Sequence, residues 1–250
     1  MIMKRLLGLI LIVAMLVAVY LVAKRQPATS VRAQLVEPTS ILTNQLANEL
    51  SNYSRADGAR PLTFPADHGP HDDFQTEWWY YTGNLQTSDG RHFGYQLTFF
   101  RRALIPPAQR HERQSDWATD QAYMAHFALS DVATNVAGKH FQSFERFSRG
   151  AVGLAGAQAA PFQVWLEDWR VGQVGPNVYR LLAAQQDITL DLTLTDGKGP
   201  ILQGDRGYSQ KGADPGNASY YYSLTRLASS GTVRVGDVSY QVNGLSWMDH

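Results

Sequence analysis

The chain has 250 residues, with 22 Lys and Arg against 22 Asp and Glu, and it contains no Cys. A net charge of zero without a basic block excludes the electrostatic signature of a nucleic-acid-binding protein, so we predict no nucleic-acid partner. The absence of Cys excludes disulfide scaffolds, thiolate metal sites and cysteine nucleophiles.

The first predicted element is an apolar run from Leu6 to Ala23, flanked by basic residues on both sides. As a helix this run spans about 27 Å, close to the hydrocarbon thickness of a bilayer. We therefore predict a membrane anchor over residues 1–25, crossing the membrane through residues 6–23, with a cleaved signal sequence as the alternative. The body should face the periplasm from the inner membrane, or be secreted if the segment is cleaved.

Residues 26–60 are polar and contain one amphipathic stretch, residues 40–50, so we predict a stalk with a short helix. From residue 61 to residue 250 the pattern changes to short aromatic and β-branched runs separated by turn residues. The predicted strands cover residues 77–85, 91–101, 122–130, 162–171, 177–184, 188–195, 218–227, 232–235 and 238–242. We interpret residues 102–120 and 139–160 as irregular.

The strand signal is clearest in residues 91–101, where Phe93, Tyr95, Leu97 and Phe99 alternate with less apolar residues. In residues 188–195 the Ile and Leu positions should point inward and the Asp and Thr positions outward. Eight to ten antiparallel strands with hairpin turns predict a mainly β fold, either a barrel or a sandwich, preceded by the transmembrane or signal helix.

The densest cluster of polar and aromatic residues runs from Asp67 to Asn84. Within it, Glu77 shares one strand face with Trp79 and Tyr81. A carboxyl group between aromatic rings would have a pKa raised by desolvation and could donate a proton near neutral pH. The alternative is a Glu that is hydrogen-bonded to a buried Arg or to the backbone.

Histidines provide two further hypotheses. The spacing His68-x-x-His71 is interrupted by Gly69-Pro70 and matches no helical zinc signature, so we predict loop hydrogen bonding, no metal site and no cofactor. His126 lies within the predicted strand at residues 122–130, either as a core histidine or as a ligand contact.

Several segments together resemble one protein family. They are Asp67–His71, Thr76–Leu85, Gly94–Arg101, Ala125–Asp131, Leu166–Trp169 and Trp247–His250. In this combination the chain is similar to the AttH-like, carotenoid 1,2-hydratase-related family of lipocalin-like proteins, whose members are often described as secreted hydrolases. The resemblance extends from about Phe64 to His250.

The resemblance implies a lipocalin-like barrel or sandwich and a second β domain beyond residue 250, so we expect this chain to be the first half of a longer protein. It also implies acid-catalysed hydration of a double bond, with Asp249 as proton donor and Trp247 beside it. Where related hydratases have a His and a Trp, this chain has Tyr220 and Tyr222, which departs from the family pattern. An ordinary strand and a turn-capping Asp are the alternative for these residues.

We therefore expect an exported lipocalin-like protein that holds a long apolar ligand, an isoprenoid or another lipid, in an aromatic-lined cavity. Ligand contacts are expected from Trp78, Trp79, Tyr81 and His126. The enzymatic form of this hypothesis is a carotenoid 1,2-hydratase-like lyase or a hydrolase, with Glu77 as a further catalytic candidate. The alternatives are a lipid carrier that works with an ABC-type membrane transporter, and a scaffold without a ligand.

Overall fold

The structure is a computed structural model that describes residues 52–112, 114–132 and 141–250. The predicted anchor at residues 1–25 and the predicted helix at residues 40–50 lie outside these residues. Among the described residues, none of the helices has the length and apolar character needed to cross a bilayer.

The regular elements of the described part of the chain are mainly strands. Two short 3-10 helices, Ala66–His68 and Pro107–Gln109, interrupt the connections. The strands are β1 (Thr76–Gln86), β2 (His92–Ala103), β3 (Gln121–Asp131), β4 (Phe141–Arg149), β5 (Ala155–Ala159), β6 (Phe162–Leu166), β7 (Trp169–Gly175), β8 (Val178–Gln185), β9 (Ile188–Asp196), β10 (Ile201–Leu202), β11 (Tyr208–Gln210), β12 (Ala218–Tyr220), β13 (Tyr222–Val235) and β14 (Val238–Asp249).

The main sheet is antiparallel and has the strand order β4-β3-β2-β1-β14-β13-β9-β8-β7-β6-β5, with β10 added beside β13. It curls on itself until β6 contacts β2, β3 and β4 across the interior. The mainly β, antiparallel prediction is therefore confirmed, and the sheet forms a nearly closed barrel.

Several strand predictions need correction. Residues 139–160 were expected to be irregular, yet they contain β4 and β5. In β4 the apolar residues Phe141, Phe144 and Phe147 recur every third position, so the strand period of two is hidden. The strand predicted at residues 162–171 is two strands, because the chain turns back at Glu167, which has a positive φ of 58°.

Large side chains fill the interior of the barrel. Seven aromatic residues there are exposed by no more than 1%: Trp79, Tyr81, Phe93, Phe99, Phe127, Phe162 and Trp169. The Ile and Leu residues of β9 are also buried, as its alternation predicted. The sequence led us to expect an aromatic-lined cavity. The interior is instead filled, and the concavities described below lie at one end of the barrel and on its outer surface.

The two edge strands of the main sheet, β4 and β5, are not paired with each other, and we call the gap between them the seam. Arg146 of β4 crosses the seam and contacts β7 and β8. Its guanidinium lies 4.2 Å from the ring centroid of Trp169. It also donates to Ala184 O at 3.1 Å and to Gln185 Oε1 at 2.7 Å, and it pairs with Glu167 at 3.1 Å. One planar group thus joins β4 to β7 and β8.

We predict that Arg146→Lys lowers the free energy of unfolding by about 1–2 kcal/mol, because a lysine keeps the charge but loses the stacking and the forked hydrogen bonds. Urea unfolding measures the loss. Arg180→Lys is the matched control, since the Arg180–Asp191 pair lies on the surface, with side chains 53% and 32% exposed. Its loss should be well below 1 kcal/mol, roughly the range of surface pairs. Equal losses in both variants would show that Arg146 does not stabilise the barrel across the seam.

Candidate functional site

A group of buried charged side chains occupies one end of the barrel. Glu77 on β1 and Arg101 on β2 stand opposite each other in the strand register, and both side chains point inward. Glu77 is 7% exposed and Arg101 is 0% exposed. Since burying an ion is costly, each must find compensating partners nearby.

Glu77 and Arg101 satisfy each other and hold the loop that precedes β1. Arg101 Nε donates to Glu77 Oε2 at 2.9 Å. The same guanidinium donates to the backbone carbonyls of His71 and Phe74 at 2.7 and 3.0 Å, and to Gln121 Oε1 at 2.9 Å. The charge pair therefore fixes both the end of the barrel and the loop over it.

His71 stands between two carboxylates. Its Nδ1 lies 2.6 Å from Glu77 Oε1, and its Nε2 lies 2.8 Å from Asp67 Oδ1. Arg60 donates to the same Asp67 oxygen at 2.9 Å. Burial alone would lower the pKa of His71, but hydrogen bonds and charges from Glu77 and Asp67 raise it. Carboxylates accept on both sides of the ring, so the imidazole carries two protons.

The same contacts decide the state of Glu77. Burial alone would raise its pKa, but the hydrogen bond from His71 and the charges of His250 and Arg101 bring it down to about 2. The raised pKa predicted for Glu77 is therefore wrong, and the alternative of a Glu bonded to a buried Arg is confirmed. Glu77 is an ionised acceptor at neutral pH.

His250 completes this cluster from β14. Its ring stacks on Trp79 with centroids 5.0 Å apart, and its Nδ1 lies 2.8 Å from the carbonyl of Trp78. Its Nε2 lies 3.4 Å from Glu77 Oε1. Burial lowers the pKa of His250. Among the described residues, His71, Glu77 and His250 form a set whose nitrogen and oxygen atoms lie within 4.8 Å of one another, so they could hold a metal ion.

A second buried histidine, His68, plugs the barrel from the 3-10 helix at Ala66–His68. Its Nδ1 lies 2.7 Å from Tyr222 Oη, and its Nε2 lies 3.4 Å from Tyr179 Oη. Trp79 Nε1 donates to the His68 carbonyl at 3.0 Å. Burial, together with the charge of His250, lowers the pKa of His68 to about 4. His68 is therefore neutral at pH 7.

A cleft of about 580 Å³, including space open to solvent, lies beside the charged cluster. Its wall combines the cluster with apolar and aromatic residues. The lining residues used below are Arg60, Asp67, His71, Glu77, Trp78, Tyr220, Tyr222 and His250. Of the predicted catalytic residues, the cleft thus brings together Glu77, Tyr220 and Tyr222.

The remaining predicted catalytic residues lie on the outer face of the barrel. Asp249 Oδ1 accepts hydrogen bonds from Ser223 Oγ and from Trp247 Nε1, both at 2.6 Å. A surface concavity beside this carboxylate is lined by Trp78, Tyr80, Thr98, Phe100, Lys211, Tyr221 and Asp249. Burial and the adjacent Asp249 raise the pKa of Tyr221.

Because side chains alternate between the two faces of a strand, the predicted site residues lie on two different faces of the barrel. Trp79 and Tyr81 point into the filled interior, whereas Trp78 points outward and borders both concavities. His126 is on the outer face of β3, with its ring 5.4 Å from Phe100 and its side chain 32% exposed, so it is not a core histidine.

Arg101, Asp67 and His250 were not predicted from the sequence to be members of the site. One signal could have revealed Arg101: it continues the apolar face of Phe93 to Phe99 at the next alternate position. A charged residue at an inward position requires a buried partner of opposite sign. The partnership of His250 had no comparable signal, because it depends on the pairing of β14 with β1.

We predict that Glu77→Gln lowers the free energy of unfolding by about 3 kcal/mol or more, because Arg101 and His71 lose their buried counter-charge. Chemical denaturation measures the change. The control is Glu145→Gln, whose side chain is 78% exposed, and it should change stability by less than about 0.5 kcal/mol. A similarly small effect at Glu77 would contradict its central position in the network.

The lowered pKa of His68 predicts a pH dependence of stability. The unfolded chain binds this proton near pH 6.5 but the folded chain only near pH 4. Stability contributed by neutral His68 is therefore fully present above 6.5 and is lost as the pH falls toward 4. Between pH 6.5 and pH 4, wild type should lose up to roughly 3 kcal/mol more of its unfolding free energy than His68→Gln loses. A difference that stays constant over this range would contradict the assignment.

Two solved structures are similar to this chain. A crystal structure of an AttH candidate from Nitrosomonas europaea has a TM-score of 0.67 and 37% sequence identity, covering 78% of this chain and 57% of that one. A kievitone hydratase from Nectria haematococca has a TM-score of 0.57 at 10% identity, covering 79% of this chain and 53% of that one, which shows a shared fold. The chain thus spans little more than half the length of either protein.

No curated protein matches the chain. A model of the family described as AttH-like matches residues 55–250, which is most of the sequence. The chain therefore belongs to the AttH-like family.

Proposed function

We propose that this chain carries the acid of a hydratase that adds water across a carbon–carbon double bond of an apolar substrate. The observation that carries the proposal is the position of Asp249, a carboxyl group in a concavity with mainly aromatic walls. The kievitone hydratase that shares the fold makes hydration the first reaction class to test.

The reaction needs an acid, a stabilised cation and one water molecule. Asp249 in its acid form donates its proton to one carbon of the double bond, and the other carbon becomes a carbocation. The aromatic faces of Trp78 and Phe100 border the same concavity and can stabilise that positive charge. Water adds to the cation and returns a proton to the Asp249 carboxylate, so the acid is restored.

The neighbours of Asp249 position its carboxyl group. Ser223 and Trp247 both donate to Oδ1, which leaves Oδ2 as the oxygen to carry the proton. The raised pKa of Tyr221 keeps its phenol protonated near neutral pH, so it remains a donor beside Asp249. Proton transfer would thus start from a carboxyl group that is held on one side and faces the aromatic concavity on the other.

A specific observation favours a second candidate, a carrier of apolar molecules. Ser223 and Trp247 both donate to one oxygen of Asp249, so this carboxyl group already has a structural role at the end of β14. In that role Asp249 would border a bound ligand without protonating it. The carrier would bind its ligand in the same concavity. We also propose, for this candidate, that the protein is exported and has a membrane transporter as its partner.

The substitution Asp249→Asn separates the two candidates. The full chain is incubated with an isoprenoid polyene that has a terminal isopropylidene group, in water labelled with ¹⁸O, and the products are analysed by mass spectrometry. In a hydratase, labelled alcohol forms with wild type and falls by about 100-fold or more in Asp249→Asn, because the general acid is removed. Ligand binding, followed by quenching of tryptophan fluorescence, should change little.

Asp237→Asn is the matched control, since Asp237 is exposed in the turn between β13 and β14. Its turnover should equal that of wild type. Wild type that binds the polyene without forming labelled alcohol would favour the carrier over the hydratase. Wild type that neither binds nor converts the polyene would contradict both candidates.

A further inference from the structure

We propose that His71, Glu77 and His250 form a binding site for a divalent transition-metal ion of the Zn²⁺ class, open to the cleft at the end of the barrel. The spacing of His68 and His71 matches no zinc signature, so no metal was predicted here from the sequence. The site instead combines the loop before β1 with β1 itself and the end of β14.

The three ligand atoms lie close together. They are His71 Nδ1, Glu77 Oε1 and His250 Nε2, and they all lie within 4.8 Å of one another. Glu77 Oε1 lies 2.6 Å from His71 Nδ1 and 3.4 Å from His250 Nε2. Bonds of about 2.0–2.1 Å around tetrahedral zinc place ligand atoms about 3.3 Å apart. The second distance already fits, and the first must widen by less than about 1 Å.

The hydrogen bond of His250 to the backbone also leaves one ring nitrogen for a metal ion. A carbonyl oxygen can only accept, so the 2.8 Å contact with Trp78 O is donated by Nδ1. The other ring nitrogen, Nε2, faces Glu77 Oε1 at 3.4 Å. An ion bound between these two atoms would have both of them as ligands.

Each of the three ligands has an outer partner of the kind that metal ligands have in proteins. His71 Nε2 meets Asp67 Oδ1 at 2.8 Å, and Arg60 holds that carboxylate in turn. Glu77 keeps Oε2 on Arg101 Nε at 2.9 Å, so Oε1 is the oxygen that faces the two histidines. His250 has its backbone carbonyl partner. Such contacts orient the ligands and set the tautomer of each histidine.

Metal binding must displace one proton. In the structure His71 donates that proton from Nδ1 to Glu77, so the proton stands where the ion would bind. The His71 side chain is 24% exposed, and the residue belongs to a loop rather than to a strand, so a small outward movement is possible. Zinc ligands must be deprotonated, so binding releases a proton and weakens in acid.

Two histidines and one carboxylate make a three-ligand set that leaves a coordination position free, as in catalytic rather than structural zinc sites. All three residues border the cleft, so that position faces a space that a water or a ligand can reach. This site does not rest on the proposed hydratase: His250 points inward, whereas Asp249 points to the outer concavity.

The test uses the purified full chain after treatment with a chelator. Calorimetric titration with Zn²⁺ at about pH 7.5 should give one ion per chain with release of a proton, and binding should be lost near pH 5. Titration with Co²⁺ should give the visible absorption of a four- or five-coordinate nitrogen and oxygen site. The temperature of unfolding should rise with Zn²⁺ concentration.

His71→Gln and His250→Gln should each weaken Zn²⁺ binding by well over tenfold, and Asp67→Asn by about tenfold or more through the orientation of His71. His126→Gln is the matched control, because His126 is on the outer face, and its binding should equal that of wild type. Circular dichroism confirms that each variant is folded.

Saturable one-to-one binding that disappears in the two histidine variants supports the site. Wild type without saturable binding overturns it, as does binding that survives both histidine substitutions. If the histidine variants do not fold, the Co²⁺ spectrum of wild type and its loss in acid decide the question, because neither depends on a variant. Turnover by Asp249→Asn reports on the other face, so failure of one proposal is distinguishable from failure of the other.

Discussion

The buried ion pair between Glu77 and Arg101 is the constraint on which the end of this barrel depends. A carboxylate and a guanidinium removed from water must be satisfied on every side, or the cost exceeds their attraction. Here the compensation comes from the loop before β1, whose carbonyls accept from Arg101 and whose His71 donates to Glu77. The loop is thus held by charge neutralisation, and the cleft, the plug of His68 and the three-ligand cluster all follow from its position.

Strand alternation then distributes chemistry between two faces that are adjacent in sequence but separate in space. Asp249 and His250 are neighbours in the chain, yet one belongs to the outer aromatic concavity and the other to the buried cluster. In β1, Trp78 likewise serves the outside and Trp79 the inside. A segment rich in aromatic and acidic residues therefore provides two sites of different character rather than one continuous cavity.

Much of the fold could be predicted from periodicity, since β1, β2, β3, β8 and β9 follow their apolar alternation. Prediction failed for β4 and β5, whose apolar spacing or small residues carry no period of two. Within the site, the hydrogen-bonded Glu77 could be anticipated as one of two alternatives, but its partner His250 could not. That partner is 173 positions away, and strand pairing alone brings it near.

The two faces are mechanically connected through Trp78. Its carbonyl accepts from His250 on the inside, while its ring borders the concavity that holds Asp249. Antiparallel pairing sets Tyr80 of β1 opposite Asp249, so the charged cluster fixes the strand segment that carries Asp249. Groups held on rigid strands by buried partners keep their geometry better than groups on loops. The hydrogen-bonded charges inside the barrel therefore also stabilise the outer face, because they leave β1 and β14 little freedom to move apart.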